Sequence, residues 1–268
     1  MDGVAPRTRL TPRARSLDPL LRGPPAPRRR GKRGTFQRAQ QAVVQRAAQQ
    51  GLLAGRGPTA AVDASGFEAH HVSAHYGYRY SPRYRAAYAG LHGGRAPKGR
   101  HRRATYPKLT VVVHTASHLI LGAVPSQGPA NDAPAFVPAL RQAAALFPRP
   151  FAAVVADAAY DSEAHHGCCH RELRVRRTAI RLNRRSHGQC WPRTRYRRAM
   201  RRCFPWRLYH RRQQVESVFS RDKRRLGSAL TARAATTQAQ EQLLRVLTHN
   251  LLLLYGRRRI QQSPCHPV

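Results

Sequence analysis

Four side chains near the C-terminal end of the chain have types and spacings suited to chemistry on phosphates. Tyr209, Arg212, Glu216 and Lys223 follow the pattern Tyr-x2-Arg-x3-Glu-x6-Lys within the stretch LYHRRQQVESVFSRDKRRLG. On a helix these spacings keep all four side chains on about one face. A glutamate framed by an aromatic ring and two cations could hold a metal ion, while the cations bind phosphate oxygens and the ring stacks beside them. The sequence therefore predicts a phosphate-directed site on one helix.

Two aspartates elsewhere could complete a metal site with Glu216. Asp63 follows the apolar run TAAV and Asp157 follows FAAVVA, so each is predicted to end a buried strand. With Glu216 they would form a cluster of three like charges, which costs stability unless cations fill it. Mg²⁺ suits such oxygen ligands, and two ions about 3.5–4 Å apart could promote an in-line phosphodiester displacement. A simpler alternative stays open: the aspartates only end strands, and Glu216 only pairs with Arg212 one turn back.

The elements that would position these residues follow the order strand, strand, strand, helix, strand, helix, strand, helix. The first three strands can pair as an antiparallel meander, and the next two can return as parallel neighbours through helical crossovers. The sequence thus predicts an α/β fold, with a ribonuclease-H-like mixed five-stranded sheet flanked by helices. The predicted segments are a helix over 35–53, a strand ending at Asp63, a hairpin over 108–124 with the turn TASH, a helix over 131–147 capped by Asn131 or Asp132, a strand over 151–157, a helix capped by Asp161 and running to about Leu173, a strand over 175–182, a basic loop over 183–202, and helices over about 206–226 and 237–255.

Charge and composition indicate the class of partner. The 268 residues carry 49 Lys and Arg against 12 Asp and Glu, a formal charge of +37. So large a charge attracts polyanions such as nucleic acid, although a G+C-rich coding sequence would also raise the arginine content. No apolar run approaches the roughly 20 residues that span a bilayer, and the N-terminus lacks the apolar centre of a secretory signal. We therefore expect no membrane partner and a cytoplasmic protein.

A group of cysteines and histidines in EAHHGCCHREL could suggest zinc. Cys168 and Cys169 are adjacent, whereas structural zinc sites favour the C-x2-C spacing, and the later cysteines form no second pair. The total of five cysteines is odd, and a reducing compartment would keep them as thiols. The sequence therefore does not predict a zinc site.

The signature stretch closely resembles the insertion-sequence DDE transposases, in the branch marked by Tyr-x2-Arg-x3-Glu-x6-Lys. The segments VVADAAYDSE, AVDASGFEAHHVSAHY and KLTVVVHTASHLILGAVPSQGPANDAP share the resemblance, which spans about 59–255. It implies an enzyme that hydrolyses a phosphodiester at the end of a mobile element and then uses the freed 3′-hydroxyl to attack target DNA. It also implies two Mg²⁺ ions with Mn²⁺ as a substitute, double-stranded DNA of element ends and target as partner, a homodimer assembled on DNA, and association with the nucleoid. The site residues that it implies are Asp63, Asp157 and Glu216 as catalytic metal ligands, and Tyr209, Arg212 and Lys223 as DNA contacts.

Two rival functions and a division of the chain complete the predictions. A Mg²⁺-dependent nuclease of the same fold would hydrolyse DNA without joining it. A catalytically decayed transposase remnant would only bind DNA, and the short region before the first strand favours it. The predicted divisions are a basic Pro/Arg-rich tail over 1–35 that is disordered, a helical segment over 36–58, a ribonuclease-H-like catalytic domain over 59–256, and a basic C-terminal tail over 257–268.

Overall fold

The computed structural model describes residues 31–55, 57–69, 106–147, 149–183 and 191–262. Within them lie the strands β1 Thr59–Gly66, β2 Glu68–Ala69, β3 Tyr106–His114, β4 Ile120–Gly128, β5 Ala153–Ala156, β6 Arg177–Ile180 and β7 Ala229–Leu230. Residues 1–30 of the predicted tail over 1–35 and the last six residues of the chain lie outside the described part. Residues 31–35 were predicted to belong to this disordered tail, but they form the start of the first helix.

Five of these strands form one mixed sheet in the spatial order β4-β3-β1-β5-β6. β3 runs antiparallel to both β1 and β4, whereas β5 runs parallel to both β1 and β6. The short strands β2 and β7 pair with each other beside this sheet. The predicted antiparallel meander followed by parallel neighbours is therefore confirmed.

The helices bracket this sheet. They are α1 Gly31–Gln49, α2 Ala133–Leu146, α3 Glu163–Gly167, α4 Arg195–Arg202, α5 Trp206–Tyr209, α6 Gln213–Leu226 and α7 Ala235–Gln262. Glycines follow the ends of two of them. Gly51, just after α1, has a φ of 74°, and Gly227, just after α6, has a φ of 84°. Because glycine adopts this left-handed conformation without a steric penalty, it terminates a helix cleanly.

Two apolar layers pack on the two faces of the sheet. Side chains alternate between faces along a strand, and β1 shows this directly. Ala60 and Val62 join the layer that contains Phe136 of α2, whereas Ala61 joins the layer that contains Val215 of α6. The same alternation places Asp63, the next odd-numbered residue of β1, on the face against which α6 packs.

Two local predictions were wrong. Asp63 does not end its strand, because β1 continues to Gly66 in partnership with β3. Asp161 does not cap the following helix, whose N-cap is Ser162; the carboxylate of Asp161 instead accepts hydrogen bonds from the Arg197 side chain. The helical backbone itself runs to Glu172, close to the predicted end at Leu173, although α3 passes into a π-helical segment over Cys168–Glu172.

Two further corrections concern the C-terminal half. The predicted basic loop over 183–202 contains helix α4, while residues 184–190 of that loop lie outside the described part of the chain. The predicted helix over 206–226 is interrupted, because a 3₁₀ turn at His210–Arg212 separates α5 from α6. This turn lies between the first and third residues of the signature, so it decides how they face the sheet.

Candidate active site

Strand register places the two predicted aspartates side by side. The parallel pairing of β1 and β5 ends at Val62 opposite Ala156. Asp63 is the next residue of β1, and Asp157 directly follows β5. Adjacent strands lie about 4.8 Å apart, so the two carboxylates leave the sheet as neighbours. Each is fixed by a backbone N–H: Asp63 accepts from Ala64 at 2.9 Å, and Asp157 accepts from Ala159 at 2.9 Å.

Helix α6 brings Glu216 to the same edge. Val215 and Val218 are fully buried against the sheet and hold the helix in place, which leaves the Glu216 side chain half exposed beside the aspartates. Arg212 joins the two elements. Its Nη1 lies 3.4 Å from Oδ2 of Asp63, and its Nη2 lies 2.5 Å from Oε1 of Glu216. One guanidinium therefore bridges a strand carboxylate and a helix carboxylate.

The pKa of Asp63 reflects its burial first and its charged neighbours second. Burial is the main cause that raises the pKa of Asp63 to about 6, and the charges of Asp157 and Glu216 raise it further. The N–H of Ala64 and the guanidinium of Arg212 act in the opposite direction. Because Asp63 senses both other carboxylates, the three predicted acids belong to one electrostatic cluster.

The three acids carry the kind of ligand atoms that divalent cations prefer, but the guanidinium of Arg212 lies between Asp63 and Glu216. Among the described residues, no group of three or more His, Cys, Asp or Glu side chains is arranged to hold a metal ion. Asp63 and Glu216 instead share the guanidinium of Arg212. The donors are all carboxylate oxygens, which hard ions such as Mg²⁺ prefer over nitrogen or sulfur. The donor chemistry therefore suits such an ion, whereas the arrangement of the donors in this structure does not yet form its site.

The other signature residues occupy different places on the same side of the sheet. The ring of Tyr209 lies 5.8 Å from the Arg212 guanidinium, so it stays close to the acids. Lys223 lies two turns beyond Glu216, and its Nζ donates to the carbonyl of Gly66 at 2.8 Å. The structure therefore places Tyr209 and Arg212 close to the acid cluster, to which Glu216 belongs, whereas Lys223 contacts the end of β1.

A polar network that sequence reasoning missed fixes the start of α6. Arg211 donates to Oγ1 of Thr59 on β1 at 2.8 Å. His118 in the β3–β4 turn has one ring nitrogen 2.7 Å from Gln214 and the other 2.8 Å from Arg221. These side chains are 100 or so residues apart in sequence, so only the fold reveals their role in positioning the signature helix.

The cysteine and histidine group is structural. His165 bonds to the carbonyl of Tyr160, and His166 bonds to Oγ1 of Thr178, each at 2.8 Å. Burial is the main cause that lowers the pKa of His166 to about 4, so this histidine is neutral at physiological pH. Buried Cys169 has a raised pKa for the same reason.

The comparison with protein families decides the identity of the chain. The model of the transposase DDE domain matches residues 55–253, well over half of the sequence. The chain belongs to this family. DDE transposases are metal-dependent enzymes that cleave and transfer DNA strands, and this transposase therefore acts on DNA in transposition and recombination. The matched segment includes β1, β5 and α6, which carry the acid cluster.

The remaining comparisons add no further relatives. Neither the curated proteins nor the solved structures gave a match to the transposase. Within the described residues, no helix has both the length and the apolar character needed to cross a bilayer.

Proposed function

We propose that Asp63, Asp157 and Glu216 are the catalytic acids of this transposase and that together they hold two Mg²⁺ ions, for which Mn²⁺ can substitute. The observation that carries the proposal is the register of β1 and β5, which puts the two aspartates side by side beneath the signature helix. The raised pKa of Asp63 supports it, because this carboxyl responds to both other acids. Carboxyl groups with shifted pKa values are found preferentially at functional sites.

The side chains of the cluster divide the work of the reaction. Bound ions would activate the attacking oxygen and stabilise the leaving one. Asp63 and Asp157 are held rigidly by backbone N–H groups and would set the position of the site. Glu216 is half exposed and can adjust its carboxylate as DNA enters. Arg212, once released from the acids, would pair with a phosphate beside the scissile bond.

Hydrolysis and strand transfer can use the same site. In hydrolysis the nucleophile is water, and the product is a 3′-hydroxyl at the element end. In strand transfer that hydroxyl attacks a phosphodiester of target DNA, so one P–O bond forms as another breaks. Because only the nucleophile changes, the same acids serve both steps. The proposed DNA contacts Tyr209, Arg212 and Lys223 flank them on the α6 side.

The helical segment over 36–58 packs against the proposed catalytic domain over 59–256. Val44 of α1 shares an apolar layer with Leu254 of α7. The carbonyl of Ile120 accepts hydrogen bonds from Gln40 of α1 and from Asn250 of α7, and both contacts are buried. The segment over 36–58 is thus a stabilising part of the enzyme. We further propose that the enzyme works as a homodimer on paired element ends, within the cytoplasm and on the nucleoid.

Strand cleavage in Mg²⁺ tests the assignment of the acids. Asp63→Asn, Asp157→Asn and Glu216→Gln should each lower cleavage of end-containing DNA by at least about 100-fold, since even residues that only support metal ligands cost 10–100-fold. For Glu216→Gln, the free energy of unfolding should change by no more than about 0.5 kcal/mol, because Glu216 is half exposed. DNA binding in Ca²⁺ should persist or tighten.

The matched control is Glu172→Gln. Glu172 is equally exposed and also pairs with an arginine, Arg141, but it lies outside the acid cluster. It should leave cleavage unchanged. A fully active Glu216→Gln enzyme would refute the proposed role of that residue. Joined products on paired-end DNA would separate a transposase from a nuclease that only hydrolyses.

A further inference from the structure

An open groove lies beyond the carboxyl ends of β5 and β6, next to α4 and the start of α5. Its volume is about 1060 Å³, and its walls come from residues 131–133, 161–165, 181–183 and 191–206. It is thus large enough to hold several atoms of a nucleic-acid strand, and it is separate from the three acids themselves.

Both tryptophans of the chain line this groove, and both are exposed. Trp191 is 58% exposed and Trp206 is 53% exposed. Tryptophan is usually well buried, so two half-exposed indoles in one groove indicate a surface that contacts a ligand. The rings are supported from one side: Arg201 lies 5.7 Å from the Trp191 centroid, and Phe204 packs edge-on at 4.8 Å from Trp206.

The groove is cationic because its acids are already satisfied. Asp161 accepts from the Arg197 guanidinium at 2.8 Å, and Glu163 accepts from the backbone N–H groups of Tyr196 and Arg197. Four further arginines line the groove, and within the described part of the chain none of them has a carboxylate partner: Arg181, Arg193, Arg201 and Arg202. A polyanion entering the groove would therefore meet uncompensated positive charge.

A chain of aromatic contacts joins the groove to the catalytic acids. Trp206 packs edge-on against Tyr209, with ring centroids 6.0 Å apart. Tyr209 in turn lies 5.8 Å from the guanidinium of Arg212, which bonds to Glu216. A strand held at the acids can thus continue into the groove without leaving the protein surface.

We propose that this groove binds unpaired nucleotides of the DNA strand that runs past the active site, with bases stacking on Trp191 and Trp206 and phosphates pairing with the arginines. Stacking on an indole needs a free base face, which a continuous duplex does not offer along its length. Alternating aromatic and cationic groups are the combination that holds single strands with little sequence preference. The path of the strand rests on the proposed active site, but the groove and its ligand do not require catalysis.

Intrinsic fluorescence gives a direct test on the full chain. Because its two tryptophans both line the groove, a twelve-nucleotide oligothymidine should quench the protein's tryptophan emission as it binds. The measurement is made with EDTA present, so that no cleavage occurs. Binding of the oligonucleotide without a change in tryptophan emission would overturn the proposal.

Substitutions separate stacking from general attraction. Trp191→Ala and Trp206→Ala should each weaken oligothymidine binding by about 5- to 150-fold, the range for loss of one base–aromatic stack. Binding of a blunt twelve-base-pair duplex should change less than twofold. Trp206→Phe should retain most of the affinity, and Tyr255→Ala, at an exposed aromatic residue on α7, should have no effect.

Each outcome has a distinct meaning. Equal losses for oligonucleotide and duplex, or no loss at all in correctly folded alanine variants, would refute a site for unpaired bases. Thermal melting monitored by circular dichroism identifies variants that fail to fold, and Trp206→Phe then carries the comparison with Trp191→Ala. A positive result together with an active Glu216→Gln enzyme would leave the groove assigned and the catalytic proposal rejected.

Discussion

Arg212 should compete with metal ions for the acid cluster. Its guanidinium bonds to Asp63 at 3.4 Å and to Glu216 at 2.5 Å, so two of the three proposed ligands share one positive charge of the protein itself. A divalent cation that uses the same carboxylate oxygens must displace the guanidinium. The Arg212→Gln substitution removes the positive charge but keeps an unbranched side chain with a polar end. It should therefore raise the affinity for Mn²⁺ in the absence of DNA.

The size of the effect follows from the exposure of the contacts. The side chain of Arg212 is 23% exposed and that of Glu216 is 50% exposed, so solvent screens this pair, whereas the pair with Asp63 is less exposed. Exposed ion pairs contribute up to about 1 kcal/mol each. Removing two of them should therefore favour metal binding by about 1–2 kcal/mol, or roughly 5- to 30-fold in Kd.

The pH of the measurement matters because Arg212 also acts on Asp63. Arg212 lowers the pKa of Asp63, which burial and the other acids raise to about 6. Without the guanidinium this pKa rises further, so protons compete with metal over a wider range. The gain in Mn²⁺ affinity should be full at pH 8, where Asp63 is ionised in both proteins, and should shrink towards pH 6.

Isothermal titration calorimetry with Mn²⁺ at pH 8 and low salt measures this affinity. Arg212→Lys retains a cation and should bind Mn²⁺ more nearly as the wild type does. Arg141→Gln removes an exposed arginine that pairs with Glu172 and should have no effect. An unchanged or weaker Mn²⁺ affinity in Arg212→Gln would show that Arg212 supports the metal ligands instead of competing for them.

Two further predictions concern charge elsewhere in the molecule. Affinity for duplex DNA should fall steeply with salt, with a slope of log affinity against log salt of about 0.9 for each neutralised phosphate, and a flat response in a fluorescence-anisotropy titration would contradict the electrostatic interpretation. Burial is the main cause that raises the pKa of Asp222 to about 6, against opposing effects of Arg245 and Lys223. The native state thus holds the Asp222 proton more tightly than the unfolded chain does, and that contribution to stability is present at pH 4 and lost as the pH rises through 6. The Asp222→Asn variant has no carboxyl to ionise, so it lacks this loss. In urea unfolding, the stability of the variant relative to wild type should therefore increase from pH 4 to pH 8, by up to about 3 kcal/mol. An identical difference at both pH values would refute the reasoning.

The main sheet was predictable because its signals are local. Strands buried on both faces appear as continuous apolar runs, and the runs before Asp63 and Asp157 are of this kind. Once the two runs are placed as parallel neighbours, equivalent positions after them must lie side by side. The sequence therefore indicated the pairing of the two aspartates even though it placed the end of β1 three residues too early.

The unpredicted features depend on contacts between distant segments. β1 continues past Asp63 because β3 remains beside it as far as the pairing of Gly66 with Lys108, and nothing in the sequence of β1 reveals that. The 3₁₀ turn before α6 accompanies the bond from Arg211 to Thr59, which lies 152 residues away. The groove was missed for another reason, because hydrophobicity predicts burial for Trp191 and Trp206 and the fold leaves both exposed.

The acid cluster also has to be compatible with folding before any metal or DNA is bound. Asp157 obtains its compensation from a backbone N–H, Asp63 from a backbone N–H and from Arg212, and Glu216 from Arg212. In the proposed mechanism, a cation that replaces the guanidinium frees Arg212 to pair with a substrate phosphate. We therefore expect metal binding and DNA binding to support each other through one side chain, with no movement of the backbone. Linkage then requires that DNA tighten Mn²⁺ binding in the wild type by more than it does in Arg212→Gln, since the variant has no guanidinium to transfer from the acids to the phosphate.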